Sequence, residues 1–267
     1  NLMKSFTFVN IDLSDIFGGI DACSFTVPFL TSFGYHMVLL PALIVMIVLG
    51  ALVAKCIFGR SVTRTVAVAR AAHLINLVVF VLFPGLCAKV FAALKCKQIG
   101  AKSYLVADFS VECWVGEHAQ RAALAFACLL VYVLGIPMLT LGILRCNRAH
   151  LYDESSPKHE TLMLSVGSLY SSYEPQYYYW EVVEMMRKMM LTGAVQMVGA
   201  GTLAQALFAI LICLAHMLFV LRTAPFEDDV DDVLQFSSAL SLSLTLLMGM
   251  TLDADKGGDV YTTAHSW

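Results

Sequence analysis

The chain has 267 residues, of which 59% are hydrophobic and 14% charged, and its formal net charge is -3. Soluble domains carry roughly a quarter charged residues, so a mean hydropathy of +0.75 excludes an ordinary soluble domain. With no Lys/Arg run and so small a net charge, no nucleic-acid partner is expected.

Long neutral runs separate the charges at 22–54, 71–88, 122–144, 189–221 and 233–252. A membrane helix needs about 20 mostly apolar residues. The run 189–221 would be about 50 Å long as one helix, against a hydrocarbon core of about 30 Å. It therefore divides at Gly199-Ala200-Gly201, where paired glycines favour a turn. The pattern predicts an all-α polytopic helical membrane protein with about six transmembrane helices, whose first partner is the lipid bilayer.

In chain order, residues 1–34 mix aromatics with Asp12, Asp15, Asp21 and Cys23, and read as an interfacial or lumenal lead-in. The chain opens at Asn1 without a signal-peptide pattern, so it is expected to be part of a longer polypeptide. Residues 35–253 read as the transmembrane domain and 254–267 as a polar tail. The first span covers about Tyr35 to Ile57, with Pro41 in its first turns. The next loop holds Lys55, Arg60, Arg64 and Arg70 with no acid among them, a cytoplasmic signature.

The second span, about Arg70 to Phe91, contains Pro84, and the third, Arg121 to Leu144, contains Pro137; each proline marks a helix kink. Between them the loop 95–120 carries Cys96 and Cys113, which fit a disulfide on an oxidising face. That loop is placed outward or lumenal. The fourth span, about Trp180 to Val198, opens behind four tyrosines, residues that settle at a membrane–water boundary. A fifth span covers Thr202 to Leu221. Asp228, Asp229, Asp231 and Asp232 then lead into the sixth, either as a Ca²⁺-type cation site or as acids capping a helix N-terminus.

The fourth span begins on a charged stripe. Glu181, Glu184 and Arg187 follow a three-residue step, and Lys188 lies four residues beyond Glu184. Charges at the mouth of a membrane helix mark a functional site by default. The competing reading is an internally paired, snorkelling turn. Asn147 and Arg148, at the inner end of the third span, complete the candidate polar or cation pocket.

No phosphate loop, CxxC pair, HExxH or GxSxG occurs, so no enzyme activity and no cofactor is expected. Cys87, Cys128 and Cys213 read as small hydrophobes inside spans. His36, His73 and His216 fall at unrelated depths, unlike the facing pair that a haem held between helices needs.

A set of residues carries a family resemblance. It comprises Phe83-Pro-Gly85, Phe91, Cys96, Ser103 to Asp108, Cys113, Tyr132 and Gly135-Ile-Pro137. It continues through Leu169-Tyr170, Tyr173, Trp180-Glu-Val-Val-Glu184, Arg187-Lys188, Leu191-Thr-Gly193 and Ala224-Pro225. Over most of 75–250 the chain resembles the transmembrane region of transient-receptor-potential-like (TRP-like) membrane proteins of algae and other protists, which often carry cysteine-rich ectodomains. The resemblance implies a cation-channel-type module, with the early helices as a sensor-like bundle and the last forming or contacting a pore. It also implies Ca²⁺ or other cations, and copies of the chain or other membrane subunits, as partners. No stretch reads as a selectivity-filter loop. A second expectation therefore stands beside the first: a structural anchor or accessory subunit of a larger membrane complex or ectodomain.

Overall fold

The computed structural model describes residues 29–57, 64–198 and 202–264, with side chains over 29–55, 65–198 and 202–251. Most of the lead-in, Arg60, the Gly199–Gly201 break and the end of the tail lie outside the described residues. The protein is an all-α polytopic membrane protein. Its elements are α1 (Phe29–Ile57), α2 (Arg64–Leu94), β1 (Cys96–Ile99), β2 (Lys102–Leu105), β3 (Asp108–Glu112) and α3 (Gly116–Leu151). There follow α4 (His159–Val166), α5 (180–197), α6 (Leu203–Thr223) and α7 (Asp229–Ala264).

Five helices are long and apolar enough to cross a membrane: Phe29–Lys55, Thr65–Leu94, Gly116–Leu151, Leu203–Thr223 and Asp229–Thr251. The fourth predicted span is the exception to the expected six. It is a continuous helix running from Trp180–Met189 through a π turn at Met190–Ala194 to Val195–Met197. Its charges at Glu181, Glu184, Arg187 and Lys188 set it apart from the five apolar helices.

Apolar spacing explains how the helices pack. Leu30, Phe33, Met37 and Leu40 recur at steps of three and four, so they line one stripe of α1 and are buried. They and their neighbours meet Phe83, Leu86, Cys87 and Val90 of α2, Ala122, Ala125 and Cys128 of α3, and Met185 and Met189 of α5. The opposite faces show Met46, Leu49 and Leu52 of α1, Leu211 and Leu218 of α6, and Met248 of α7, an apolar exterior suited to lipid.

Two boundaries differ from the sequence expectation. The first helix starts at Phe29 rather than Tyr35, because Leu30 extends the buried stripe onto Leu105 and Cys113. Pro41 consequently lies inside the helix, not in its first turns. At the other end the backbone of residues 254–264 continues α7 instead of leaving it as a separate tail.

The two predicted kink prolines sit differently. Pro84 stands within the continuous helix Arg64–Leu94. Pro137 follows a π turn at Leu129–Leu134. That wide turn has a packing consequence. Buried positions along α3 run His118, Ala122, Ala125 and Cys128, then jump five residues to Val133. The extra residue in the π turn keeps that jump on one face, and π insertions of this kind recur at functional sites.

Between α2 and α3 the three strands form an antiparallel meander, with Ile99 opposite Lys102 across a turn. Gly100 holds φ +64 there, a conformation L side chains rarely adopt. The expected Cys96–Cys113 disulfide is present. Asp108 takes hydrogen bonds from the backbone N–H and hydroxyl of Ser110 at 3.0 and 2.6 Å, which hold its carboxyl below the usual range. Because the bridge joins positions 17 apart, it removes about 3 kcal/mol of chain freedom from the open meander. A Cys96→Ser, Cys113→Ser variant is expected to exchange the amide hydrogens of β1 to β3 at least about tenfold faster, with those of α2 unchanged. Equal protection in both proteins would show that the bridge adds nothing to the meander.

Candidate functional site

The polar cluster sits at the start of α5, which presents Glu181 and Glu184 inward: they are only 7% and 5% exposed. Carboxylates at that depth require partners. Glu184 Oε2 receives both Arg187 Nη2 at 2.6 Å and Arg187 Nε at 3.0 Å. Its Oε1 accepts from Gln235 Nε2 of α7 at 2.7 Å. His216 Nε2 of α6 also lies 2.7 Å from Oε1, off the ideal hydrogen-bond direction. One carboxylate thus joins three helices.

Glu181 is held differently. The phenol of Tyr173 donates to its Oε2 at 2.8 Å. Burial and the neighbouring Glu181 carboxylate push the Tyr173 hydroxyl's pKa up, so it stays a donor. Lys188 Nζ stands 3.9 Å from Glu181 Oε1 and lies over the ring of Phe80, 3.6 Å from its centroid. The pairing on α5 is therefore Arg187 with Glu184 and Lys188 with Glu181, not the four-residue Glu184–Lys188 pair.

The ground beneath the cluster is aromatic. Trp180 is fully buried and packs against Phe219 at 4.8 Å between ring centroids and His216 at 6.4 Å. Tyr173 is fixed by its neighbours: its backbone bridges Phe226, while Glu174 N–H donates to the Pro225 carbonyl and Glu227 N–H to that of Ser172. These bonds tie the segment before α5 to the connection between α6 and α7. Ala224, in the left-handed region at φ 40, ends α6, and Pro225 prevents its continuation.

Asn147 and Arg148 do not join the cluster. Asn147 donates back to the Ile143 carbonyl of its own helix at 2.8 Å, and exposed Arg148 lies over Tyr178, 5.5 Å from its centroid. Their predicted place in the pocket is thus corrected: the lower part of α3 packs on Leu169 and Tyr170 instead. His216, Gln235 and Tyr173 take the place they were expected to fill. Sequence alone gave His216 no role, and its one signal was its position within an apolar helix. Gln235 carried no local signal.

Among the acids at the start of α7, Asp228 is the one that caps the helix. Asp228 accepts from Val230 N–H at 2.9 Å, and Asp232 accepts from Phe226 N–H at 3.4 Å. Asp229, Asp231 and Asp232 occupy the first turn of α7, where the helix dipole favours negative charge. Asp228→Ala is expected to cost about 1 kcal/mol, read as a lower melting temperature. An unchanged melt would remove the cap from this account.

Among the described residues, one group of three potential metal ligands converges: Cys96, Cys113 and His118, within 4.8 Å. Both sulfurs are spent in the disulfide. His118 Nδ1 accepts from Trp114 N–H at 3.0 Å, which leaves its other nitrogen protonated in the neutral ring. This chemistry does not suit a metal. Cys87, Cys128 and Cys213 are buried free thiols inside spans.

Comparison with known proteins places the sequence beside one curated relative. Over 171 residues, 60% of this chain, it is 25% identical to cysteine repeat modular protein A of Toxoplasma gondii. The chain spans 5% of that protein's length. No family model and no solved structure matches.

Proposed function

We propose that the chain is a TRP-like, cation-channel-type membrane module or its sensor bundle, in which the α5 charges are tied to the last two helices. The observation that carries this reading is Glu184, buried and joined at once to Arg187, His216 and Gln235 on three helices. Ionisable groups inside a membrane bundle are costly and are kept where they serve a pathway or a sensor. In this reading α5 is a sixth span. At 18 residues it is about 27 Å long, close to the hydrocarbon thickness. The charged face then lies against protein, and its apolar remainder reaches lipid.

The measurement is current across a bilayer containing the reconstituted protein, with Glu181→Gln and Glu184→Gln alongside. Cation current from the unaltered protein, with gating or amplitude changed at least about fivefold by each substitution, supports the sensor role. Current indifferent to both removes the charged stripe from the mechanism.

A second reading, a structural membrane anchor, is favoured by the small share of the Toxoplasma relative that the chain spans. It predicts no current from correctly folded protein. A four-fold assembly with α6 and α7 facing an axis would favour the channel, and a single copy against unlike subunits the anchor.

A further inference from the structure

The helix α3 is longer than a membrane is thick. At 36 residues, Gly116–Leu151 measures about 54 Å, against a hydrocarbon core of about 30 Å. Glu117 and Arg121 pair at 3.5 Å on its first turns, and Arg145 and Arg148 follow its apolar stretch. Hydrocarbon therefore covers the neutral run 122–144, and Phe126, half exposed, lies about one turn inside its boundary. Trp114 precedes that run by eight residues. Its indole nevertheless stacks on the Phe126 ring, with centroids 6.5 Å apart and planes 24° from parallel. The ring has folded back along the helix that it precedes.

The backbone is bent to put it there. Trp114 takes φ 67, the left-handed region, which a bulky residue rarely adopts. Its N–H donates to Nδ1 of buried His118 at 3.0 Å, and the His118 ring meets the indole edge-on at 5.8 Å. Strain of this kind persists where its surroundings hold it and marks a functional position. The indole so placed is 53% exposed, and its own N–H has no acceptor among the described residues. Val115 extends the exposed apolar surface. Phe109, two residues along β3 from Val111, is exposed as well.

What covers this aromatic pair follows from the surface it continues. Phe126 and Leu130, one turn apart on one face of α3, are both exposed inside the neutral run, where lipid is the solvent. An indole at the edge of that face offers a ring to acyl chains and an N–H to the ester carbonyls above them, the pairing that gathers tryptophan at membrane boundaries. We infer that the disulfide-bonded meander docks on the bilayer: Trp114 and Phe126 form one aromatic wedge among the phospholipids, and the Trp114 indole N–H gives its hydrogen to a lipid ester carbonyl. The meander then lies on the membrane surface instead of standing in water. This holds whether the chain conducts or anchors, so it can fail without either reading.

The test is tryptophan fluorescence of the protein in phosphatidylcholine vesicles, with Trp267→Phe as the background. Trp180, fully buried, is then the other indole, and subtracting the spectrum of Trp114→Phe isolates Trp114. Lipid brominated near the top of its acyl chains should quench Trp114 at least about twofold more than lipid brominated near the chain ends, and aqueous iodide should have little effect. Phe126→Ala, a change on an exposed face that removes no tryptophan, should raise iodide quenching at least about twofold by undoing the stack. Circular dichroism establishes that the variants are folded. Strong iodide quenching with indifference to brominated lipid would leave the meander in water and overturn the docking. Indifference to both quenchers would overturn it too, since protein would then cover the pair. Unchanged iodide quenching in Phe126→Ala would dismiss the wedge.

Discussion

Glu184→Ala is expected to lower stability by about 3–5 kcal/mol, the largest loss of any single substitution in the bundle. The side chain is 7% accessible, and its removal strands the guanidinium of Arg187, itself 19% accessible. It also deprives Gln235 of its acceptor and His216 of the carboxylate oxygen 2.7 Å from its Nε2, so that α6 and α7 lose their polar tie to α5. Most of the cost is therefore the uncompensated charge left behind, rather than the worth of the bonds. Combining Glu184→Ala with Arg187→Met should cost less than the sum of the two single changes, since the stranded cation is then gone. Urea or thermal unfolding in detergent micelles reads both quantities. A loss within about 0.5 kcal/mol for Glu184→Ala would mean that water reaches the site and the pair is screened.

Gly193→Val is the second large effect expected. A Cβ built on Gly193 would stand 2.3 Å from Phe91 Cδ2 and 2.6 Å from Cε2, far inside contact distance. Gly193 lies in the π turn of α5 and Phe91 near the end of α2, so the missing side chain is what lets these two helices approach. Filling that space forces the ring off its rotamer or the helices apart, at about 1–3 kcal/mol for a methyl and more for valine. Gly193→Ala should be partly rescued by Phe91→Leu, which shortens the ring side of the contact. A melting temperature for Gly193→Ala equal to that of the unaltered protein would show that Phe91 swings away freely.

Both predictions concern residues the sequence displayed without relating them. Phe91 and Gly193 belong to the set of positions that carry the family resemblance, yet nothing in their spacing says they touch. Their contact is decided by the packing of α2 against α5. The same holds for Glu184. Its three-residue step to Arg187 is local, and the helix delivers that pair by its own geometry. The contact with His216 and the hydrogen bond from Gln235 cross 32 and 51 positions of chain. No periodicity encodes such distances.

Asn147 shows the converse. Its nearness to the end of a span suggested a pocket, but its amide was free to bond a carbonyl four residues back, and it did so. Asp228 was legible for the same local reason: an acid just before a helix caps it wherever the helix ends up. The disulfide was also legible, because loop cysteines between two spans have few other places to pair.

What the amino-acid order determined by itself was the membrane class, the apolar helices, the Asp228 cap and the Glu184–Arg187 pair one turn apart on α5. Each depends on neighbours within a turn or on runs long enough to cross lipid, and water and hydrocarbon enforce those rules at every position. The charge set it apart, and only packing decided what α5 is joined to. Tertiary structure alone chose His216, Gln235 and Tyr173 as partners and placed Gly193 against Phe91. A buried carboxylate must be satisfied by whatever the fold brings within about 3 Å, and that choice is made by helices meeting in three dimensions.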